Sequence, residues 1–348
     1  MRILIYEFFA AGARDDKQDL LPLGFSMLNA LLTDFAQVPG LEIFTVLHPS
    51  LSKIVAQAQY SERVHIAWNR EAEKNWLNQL EENLELCDGA LLIAPETDGI
   101  LAKLISLAEK KGKQIFGSNS QAVALVSNKA DTLRLLKNRG LPVPKTEVWT
   151  WPLPPQWTER MLERFNTPLV LKPVYGAGGQ GVIVVKEQAQ LDESLKQLEE
   201  ELNGAPFLVQ DFVEGEAVSV SCLAAEGKVL PLSLNRQLIQ QGEQLLFQGV
   251  TIPYRHPQAQ EAFDVARQAC ELIEGLRGFV GVDLVLSPSG PVIMEINSRI
   301  TVAYVALREV INRNLAHDLW QTCMERCLPT PPELNGEFTY RADLQQGV

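Results

Sequence analysis

The chain has 348 residues, 46% of them hydrophobic, which is enough apolar material for two or three globular domains. A net charge of −12 and a pI near 5.0 exclude a protein that holds nucleic acid through non-specific phosphate contacts. Five scattered cysteines, Cys87, Cys222, Cys270, Cys323 and Cys327, exclude a disulfide framework or zinc site and fit a reducing cytoplasm. The strand-like Ile3-Leu4-Ile5-Tyr6 follows no charged leader, and no run of about eighteen apolar residues occurs, so a soluble, unexported protein without a membrane partner is expected.

Residues 1 to about 118 alternate short apolar runs with helical periodicity. Strands are predicted at Arg2–Tyr6, Leu41–Leu47, His65–Trp68, Gly89–Ile93 and Gln114–Phe116, and helices near Leu23–Phe35, Glu71–Leu86 and Thr97–Lys110. Strand alternating with helix implies an α/β domain on a parallel sheet, in which ligands sit at the carboxyl ends of strands. Those ends carry Glu7-Phe8-Phe9-Ala10-Ala11-Gly12 and Ala94-Pro95-Glu96-Thr97-Asp98. Glu96 and Asp98 are candidates to hold a substrate amine; the competing reading is that Thr97 or Asp98 caps the next helix.

From Ser118 the texture changes. A helical stretch, Asn119–Asn138, carries Lys129 and ends at Gly140-Leu141-Pro142. A lone lysine on a helix is ordinarily solvated surface, so Lys129 reads either that way or as an anion ligand. The proline-rich Trp149–Gln156 is a turn-rich connection, and Pro168–Pro173 is a strand. Lys172 on that strand needs an anionic partner if buried, and phosphate is a natural one.

Gly176, Gly178 and Gly181 satisfy G-x-G-x-x-G, with Gly179 between them. A dinucleotide site requires a helix after the glycines, whereas Val182-Ile183-Val184-Val185 is strand, and no G-x-x-x-x-G-K-[ST] is present. Strand, glycine loop and strand make a hairpin that can lay backbone N–H groups over phosphates; the plain alternative is a flexible turn. A protein kinase is excluded by the absence of H-R-D and D-F-G.

Further strands are predicted at Phe207–Val213 and, as an antiparallel pair turned by Glu226-Gly227-Lys228, at Ala217–Ala225 and Val229–Asn235. Arg236 ends the second of these, either solvated or as a bidentate clamp for a phosphoryl or carboxylate group, and Phe247–Thr251 opens another polar stretch. A helix is expected over Gln258–Leu276, closing helices over Val305–Cys327, and a frayed polar tail beyond Leu328. The four histidines lie outside these motifs, and no Ser or Cys nucleophile paired with a His is evident.

Between the last two helical regions, Gly281–Leu286 and Val292–Ile296 read as a hairpin turned at Ser287-Pro288-Ser289-Gly290. With a three-residue loop Asp283 faces Glu295; with a four-residue loop Asp283 faces Met294 and the acids part to opposite faces. Glu295 and Asn297, two apart on a strand, present three oxygens in one direction, a hard-cation arrangement. The bland reading is a polar hairpin end, but opposed carboxylates repel unless something positive lies between them.

The ordered set Lys129, Lys172, glycine loop, Gln210 to Glu216, Asp283, Glu295 and Asn297 resembles the ATP-grasp superfamily of carboxylate–amine ligases. The resemblance implies a parallel α/β pre-ATP-grasp domain over 1–118 and a two-lobed α+β ATP-grasp domain over 119–328. The small lobe would span 119–206, the metal- and substrate-binding lobe 207–328, and a tail 329–348. It implies that Lys129 and Lys172 hold ATP phosphates under a lid of Gly176, Gly178, Gly179 and Gly181. Gln210 and the backbone of Asp211, Phe212 and Val213 would meet adenine, and Glu216 the ribose. Asp283, Glu295 and Asn297 would bind two Mg²⁺ ions, with Mn²⁺ as a substitute. Gln210 stands where an acid is frequent, and Gly281 where some members carry an arginine, which leaves Arg236 and Arg299 as candidate catalytic arginines.

The segments Glu295–Val305, Ala94–Gly99 and Tyr6–Gly12 look like the branch of that superfamily that joins glutamate to a phenolic amine in methanofuran-type cofactor biosynthesis. This implies small-molecule acid and amine partners, with Thr301 and Tyr304 beside Glu96 and Asp98 as substrate contacts, and is compatible with a homodimer. Ser298 departs from the proline of that branch, and Ala303 from a small polar residue. The expected reaction passes through an acylphosphate that an amine then attacks. An ATP-dependent carboxylase on the same scaffold, or a nucleotide-binding module without catalysis, are the alternatives.

Overall fold

The first sheet is parallel throughout, in the order β3-β2-β1-β4-β5. It comprises β1 (Arg2–Glu7), β2 (Glu42–Leu47), β3 (Val64–Trp68), β4 (Gly89–Ile93) and β5 (Gln114–Ile115). Helices α1 (Leu21–Phe35), α2 (Ser52–Gln57), α3 (Ala72–Glu85) and α4 (Ile100–Lys110) connect the strands. β1 and β4 are buried almost end to end, the signature of central strands covered on both faces. In this computed structural model residues 1–13, 20–69, 72–176, 179, 181–241 and 245–342 are described.

Helices α5 (Ser120–Ser127) and α6 (Lys129–Asn138) replace the single helix predicted over Asn119–Asn138. Asn128 breaks it: at φ −86°, ψ 94° it leaves the helical region, and its side chain accepts from the Asp131 N–H as the N-cap of α6. A four-stranded antiparallel sheet follows, in the order β6-β9-β7-β8, made of β6 (Thr146–Trp149), β7 (Leu169–Pro173), β8 (Ile183–Val185) and β9 (Phe207–Asp211). Helices α7 (Trp157–Arg164) and α8 (Leu191–Leu202) supply its core. Leu171 pairs with Ile183 antiparallel, so the glycine loop joins two strands, which excludes a dinucleotide-binding turn.

The third sheet has the order β14-β13-β10-β11-β12-β15. Its strands are β10 (Glu216–Ala225), β11 (Lys228–Gln241), β12 (Leu245–Ile252), β13 (Gly278–Ser287), β14 (Gly290–Asn297) and β15 (Phe338–Arg341). Helix α9 (Ala259–Glu271), shorter than predicted, covers one face, and α10 (Ala303–Val310) and α11 (Leu315–Met324) follow β14. Three expectations are corrected. β11 continues past Asn235 through Arg236, the Phe247–Thr251 stretch lies within β12, and the tail is anchored where β15 pairs with β12. One apolar core runs from α1 and β2 through α10 and α11 to β12, so the N-terminal sheet and the third sheet are packed as one body. Among the described residues no helix is long and apolar enough to cross a membrane.

Candidate active site

The β13–β14 hairpin brings Asp283 opposite Glu295 by a different route from the one predicted. The turn is tight: Ser287 pairs with Gly290, leaving Pro288-Ser289 at the tip, and the Ser287 hydroxyl donates to the Gly290 carbonyl at 2.7 Å. That register alone would have put Asp283 across from Met294. A bulge between Asp283 and Leu284 shifts the pairing by one residue and restores Asp283 to Glu295 and Gly281 to Asn297. All four positions therefore share one face.

The acids are held from several sides. Asn297 Nδ2 donates to Asp283 Oδ2 at 3.0 Å, and Gln237 Nε2 to Asp283 Oδ1 at 2.9 Å. Lys129 Nζ lies 3.3 Å from Glu295 Oε2 and donates to the Gly176 carbonyl at 2.5 Å. The start of α6, the glycine loop and β14 thus converge on one ammonium, and Lys129 is largely buried rather than solvated surface. Lys172 is buried as well.

Electrostatics follow from this crowding. Burial, the charge of Glu295 and the hydrogen bond between the two acids hold Asp283 well above the usual carboxylate range. Burial works against Glu295 too, but the ammonium groups of Lys129 and Lys172 outweigh it and keep Glu295 ionised. Burial brings Lys172 down to about 8, with Glu295 opposing the shift and Lys129 adding to it. The charge of Glu295 opposes ionisation of Asp283 here, and a cation between the two carboxylates would relieve that repulsion. Among the described residues no three His, Cys, Asp or Glu gather for a metal, so a cation here would be held by two acids, a carboxamide and oxygens from solvent or substrate. Mg²⁺, which retains several waters, suits that donor set.

On the four-stranded sheet, Lys172 pairs with Leu208 and Val170 with Gln210, which places Lys172 and Gln210 on one face. Gln210 is fully buried, and its Oε1 has no partner among the described residues. Its amide orientation is fixed: Thr146 Oγ1 donates to the Pro144 carbonyl at 2.9 Å, so it must accept from Gln210 Nε2, at 2.7 Å. A buried acceptor is left over, as a ligand with an N–H group would need. The Asp211 N–H is taken by the Lys145 carbonyl, whereas Phe212 and Val213 follow β9 with no strand partner.

Glu216 opens β10, beyond the Phe212–Gly215 connection. Its Oε2 accepts from the Tyr254 hydroxyl at 2.6 Å, and Arg236 Nε lies 3.8 Å away. Arg236 is opposite Val218, which is opposite Leu284, so by strand parity it sits on the other face from Asp283. Arg236 is therefore not brought to the metal-type carboxylates, and Arg299 is. Arg299 Nε and Nη2 donate to the two oxygens of Glu96 at 2.7 and 3.0 Å, and its guanidinium lies close enough to feel the charges of Glu295 and Asp283.

The other candidates fall as follows. Neither Thr97 nor Asp98 caps a helix: Asp98 has a left-handed φ of 57°, is exposed, and gives its backbone carbonyl to Lys103 Nζ at 2.9 Å. Glu96 is buried and bound at both oxygens, so it is not a free acid waiting for an amine. Thr301 sits over Gly281, its methyl 2.9 Å from where a Cβ there would lie. Tyr304 is corrected outright: it is fully buried and donates to Asp34 Oδ2 at 3.0 Å, inside the core. Gly179 and Gly181 have φ of 78° and 69°, and Gly178 lies outside the described residues. Gln237 and Thr146 were missed; both follow from strand parity once β11 and β6 are known.

An ATP-grasp domain model matches residues 126–303, and a pre-ATP-grasp domain model matches residues 41–123. The tyramine–L-glutamate ligase of Methanocaldococcus fervens is 30% identical over 88% of this chain and 89% of its own length. A probable alpha-L-glutamate ligase of Maridesulfovibrio salexigens is 33% identical over 52% of this chain and 58% of its own. In fold, the chain resembles an ATP-grasp superfamily protein from Archaeoglobus fulgidus, at a TM-score of 0.72 and 24% identity, covering 98% of this chain and 92% of that one.

Proposed function

The chain belongs to the ATP-grasp family of carboxylate–amine ligases, enzymes that form C–N bonds and release ADP, and on that premise we propose that it joins glutamate to tyramine or a tyrosine-like amine. The setting would be the biosynthesis of a methanofuran-type cofactor. The observation that carries the reading is the convergence of Lys129, Lys172, Asp283, Glu295 and Asn297 on one point, where two ammonium groups and two acids await a polyphosphate with its cation. The two glutamate-ligase relatives support glutamate as the acid.

In this proposal Asp283, Glu295 and Asn297 would hold two Mg²⁺ ions. Bound Mg²⁺ would neutralise charge on the phosphate oxygens. The chain's own residues then position and stabilise. Lys129 and Lys172 hold the phosphates, Gly176, Gly178, Gly179 and Gly181 close over them, and Gln210 accepts from the adenine amine. The Phe212 and Val213 backbone meets the rest of the base, and Glu216, fixed by Tyr254, takes the ribose hydroxyls. Arg299, rather than Arg236, meets the phosphoryl group as the glutamate carboxylate attacks it; the amine next displaces phosphate from the acylphosphate. Thr301 and Asp98 remain candidates for substrate contact.

ADP release measured with Mg²⁺-ATP and L-glutamate, with and without a panel of phenolic amines, tests the reading, with the product weighed by mass spectrometry. The expected result is amine-stimulated turnover, Mn²⁺ replacing Mg²⁺, and a product equal to glutamate plus amine less water. Turnover that bicarbonate stimulates and amines do not would replace it with a carboxylase.

A further inference from the structure

Glu96 lies just beyond β4, at the carboxyl end of the N-terminal sheet, while Arg299 lies just beyond β14, 203 residues later. Their contact is a side-on fork in which both carboxylate oxygens of Glu96 are used, at 2.7 and 3.0 Å. Arg299 Nη1 also donates to the Ile300 carbonyl at 3.2 Å. Of the five guanidinium N–H groups, three are therefore committed and two are not. The guanidinium is nonetheless close enough to Asp283 and Glu295 to feel their charges.

Three physical points turn this fork into more than adhesion between domains. A buried ion pair is weak at stabilising a fold, because desolvation offsets its attraction and packed apolar groups serve as well. An arginine side chain has many rotamers, and only a bidentate partner holds its plane in one orientation. Finally, position 281 is a glycine and offers no guanidinium of its own, and a Cβ there would lie 2.9 Å from the Thr301 methyl. A guanidinium beside the acids is thus aimed by a carboxylate from another sheet.

We propose that Glu96 is a positioning residue for the ligase reaction: by gripping Arg299 across the domain boundary it points the two uncommitted N–H groups at the reacting phosphoryl group, so that the N-terminal domain completes the active centre. This rests on the function proposed above. It replaces the role of amine ligand for Glu96, whose oxygens are already occupied, with a role through Arg299.

The test is a double-mutant cycle of Glu96→Gln and Arg299→Lys, following kcat for ADP release, KM for ATP and Tm. Gln keeps the shape and one hydrogen bond but loses the charge-assisted fork. Glu96→Gln is expected to lower kcat by about 10- to 100-fold, the scale of misplacing a reacting group, with KM for ATP and Tm little changed. In the Arg299→Lys background it should add less than about threefold, because both changes break one unit. Normal kcat in Glu96→Gln, multiplicative effects, or a loss of kcat only in step with Tm would overturn the proposal and leave the ligase reading intact. A wild-type chain that binds Mg²⁺-ATP but releases no ADP with any acid and amine overturns both.

Discussion

Two arginines of the C-terminal half reach carboxylates of the N-terminal domain, and they end up in different circumstances. Arg308 on α10 grips Asp34 on α1 through Nε, at 2.9 and 3.1 Å, and Nη2, at 2.6 Å, while Nη1 donates to Glu309 at 2.5 Å. Asp34 also accepts from the Tyr304 hydroxyl, and its backbone carbonyl accepts from Asn314 Nδ2 at 2.9 Å. In each arginine three of the five guanidinium N–H groups are committed, and each carboxylate partner spends both oxygens on its fork. The two forks differ in what surrounds them: the Arg299 guanidinium feels the charges of Asp283 and Glu295, whereas Arg308 sits with Asp34, Glu309 and Tyr304. Placement beside the paired acids, rather than hydrogen-bond saturation, separates the site from the anchor.

Asp34→Ala should have the largest effect on stability. It strands the Arg308 guanidinium and the Tyr304 hydroxyl in a mostly buried setting, for a loss of about 3–5 kcal/mol in chemical denaturation. Turnover per folded molecule should stay at the wild-type value. If turnover fell while stability held, the Asp34 cluster would not be an anchor and the contrast with Arg299 would collapse.

Glu7 sharpens the contrast from the other side. It ends β1, is buried, and accepts from the Ala10 N–H at 2.7 Å; Gly24 packs so closely that a Cβ there would lie 2.5 Å from its carboxyl. Burial pushes it up to about 7, against the pull of backbone donors and of Arg299, with which no direct bond forms. A raised carboxyl adds stability that is complete below its ordinary value of 4.5 and is lost as pH rises through about 7. Between those limits the unfolded chain has released the proton that the folded chain keeps, so wild-type stability should fall with pH. Glu7→Gln should remove that slope, a difference on the order of 3 kcal/mol at neutral pH. Equal slopes in the two proteins would mean that Glu7 is not protonated in the fold.

The central strands of the parallel sheet were readable because burial on both faces leaves an unbroken apolar run. β15 was not: Phe338–Arg341 is a short edge strand that exists only by pairing with β12, and prolines upstream of it read as an end to structure. The break at Asn128 was hidden by apolar periodicity running through it, although the capping side chain stood in the sequence. Asp283 was placed opposite Glu295 for an incorrect reason, since the turn is one residue tighter and a bulge compensates. Arg236 and Arg299 could be told apart only after β11 was seen to continue, because strand parity then decides which face each takes. The Glu96 fork had no local signal at all, and the buried site of Tyr304 followed from its distant partner Asp34.

Gln210 presents an open valence on the small-lobe sheet, with the smallest expected effect. The relay from Pro144 through Thr146 leaves its Oε1 as an acceptor only, which suits the 6-amino group of adenine and disfavours a 6-oxo purine, whose own acceptor would face it. Thr146→Val removes the hydroxyl that fixes the amide while keeping the shape of the side chain. Gln210 is then free to turn Nε2 toward the base. ATP and ITP differ at that one position, so the ratio of their Kd values isolates it. The wild-type preference for ATP should fall by about tenfold, or about 1.4 kcal/mol, the scale of a single hydrogen bond. The Glu96→Gln variant should leave the same ratio untouched, because its open valence serves the phosphoryl end. An ATP-to-ITP ratio that ignored Thr146→Val would show that the unpaired oxygen of Gln210 is not where the base is read.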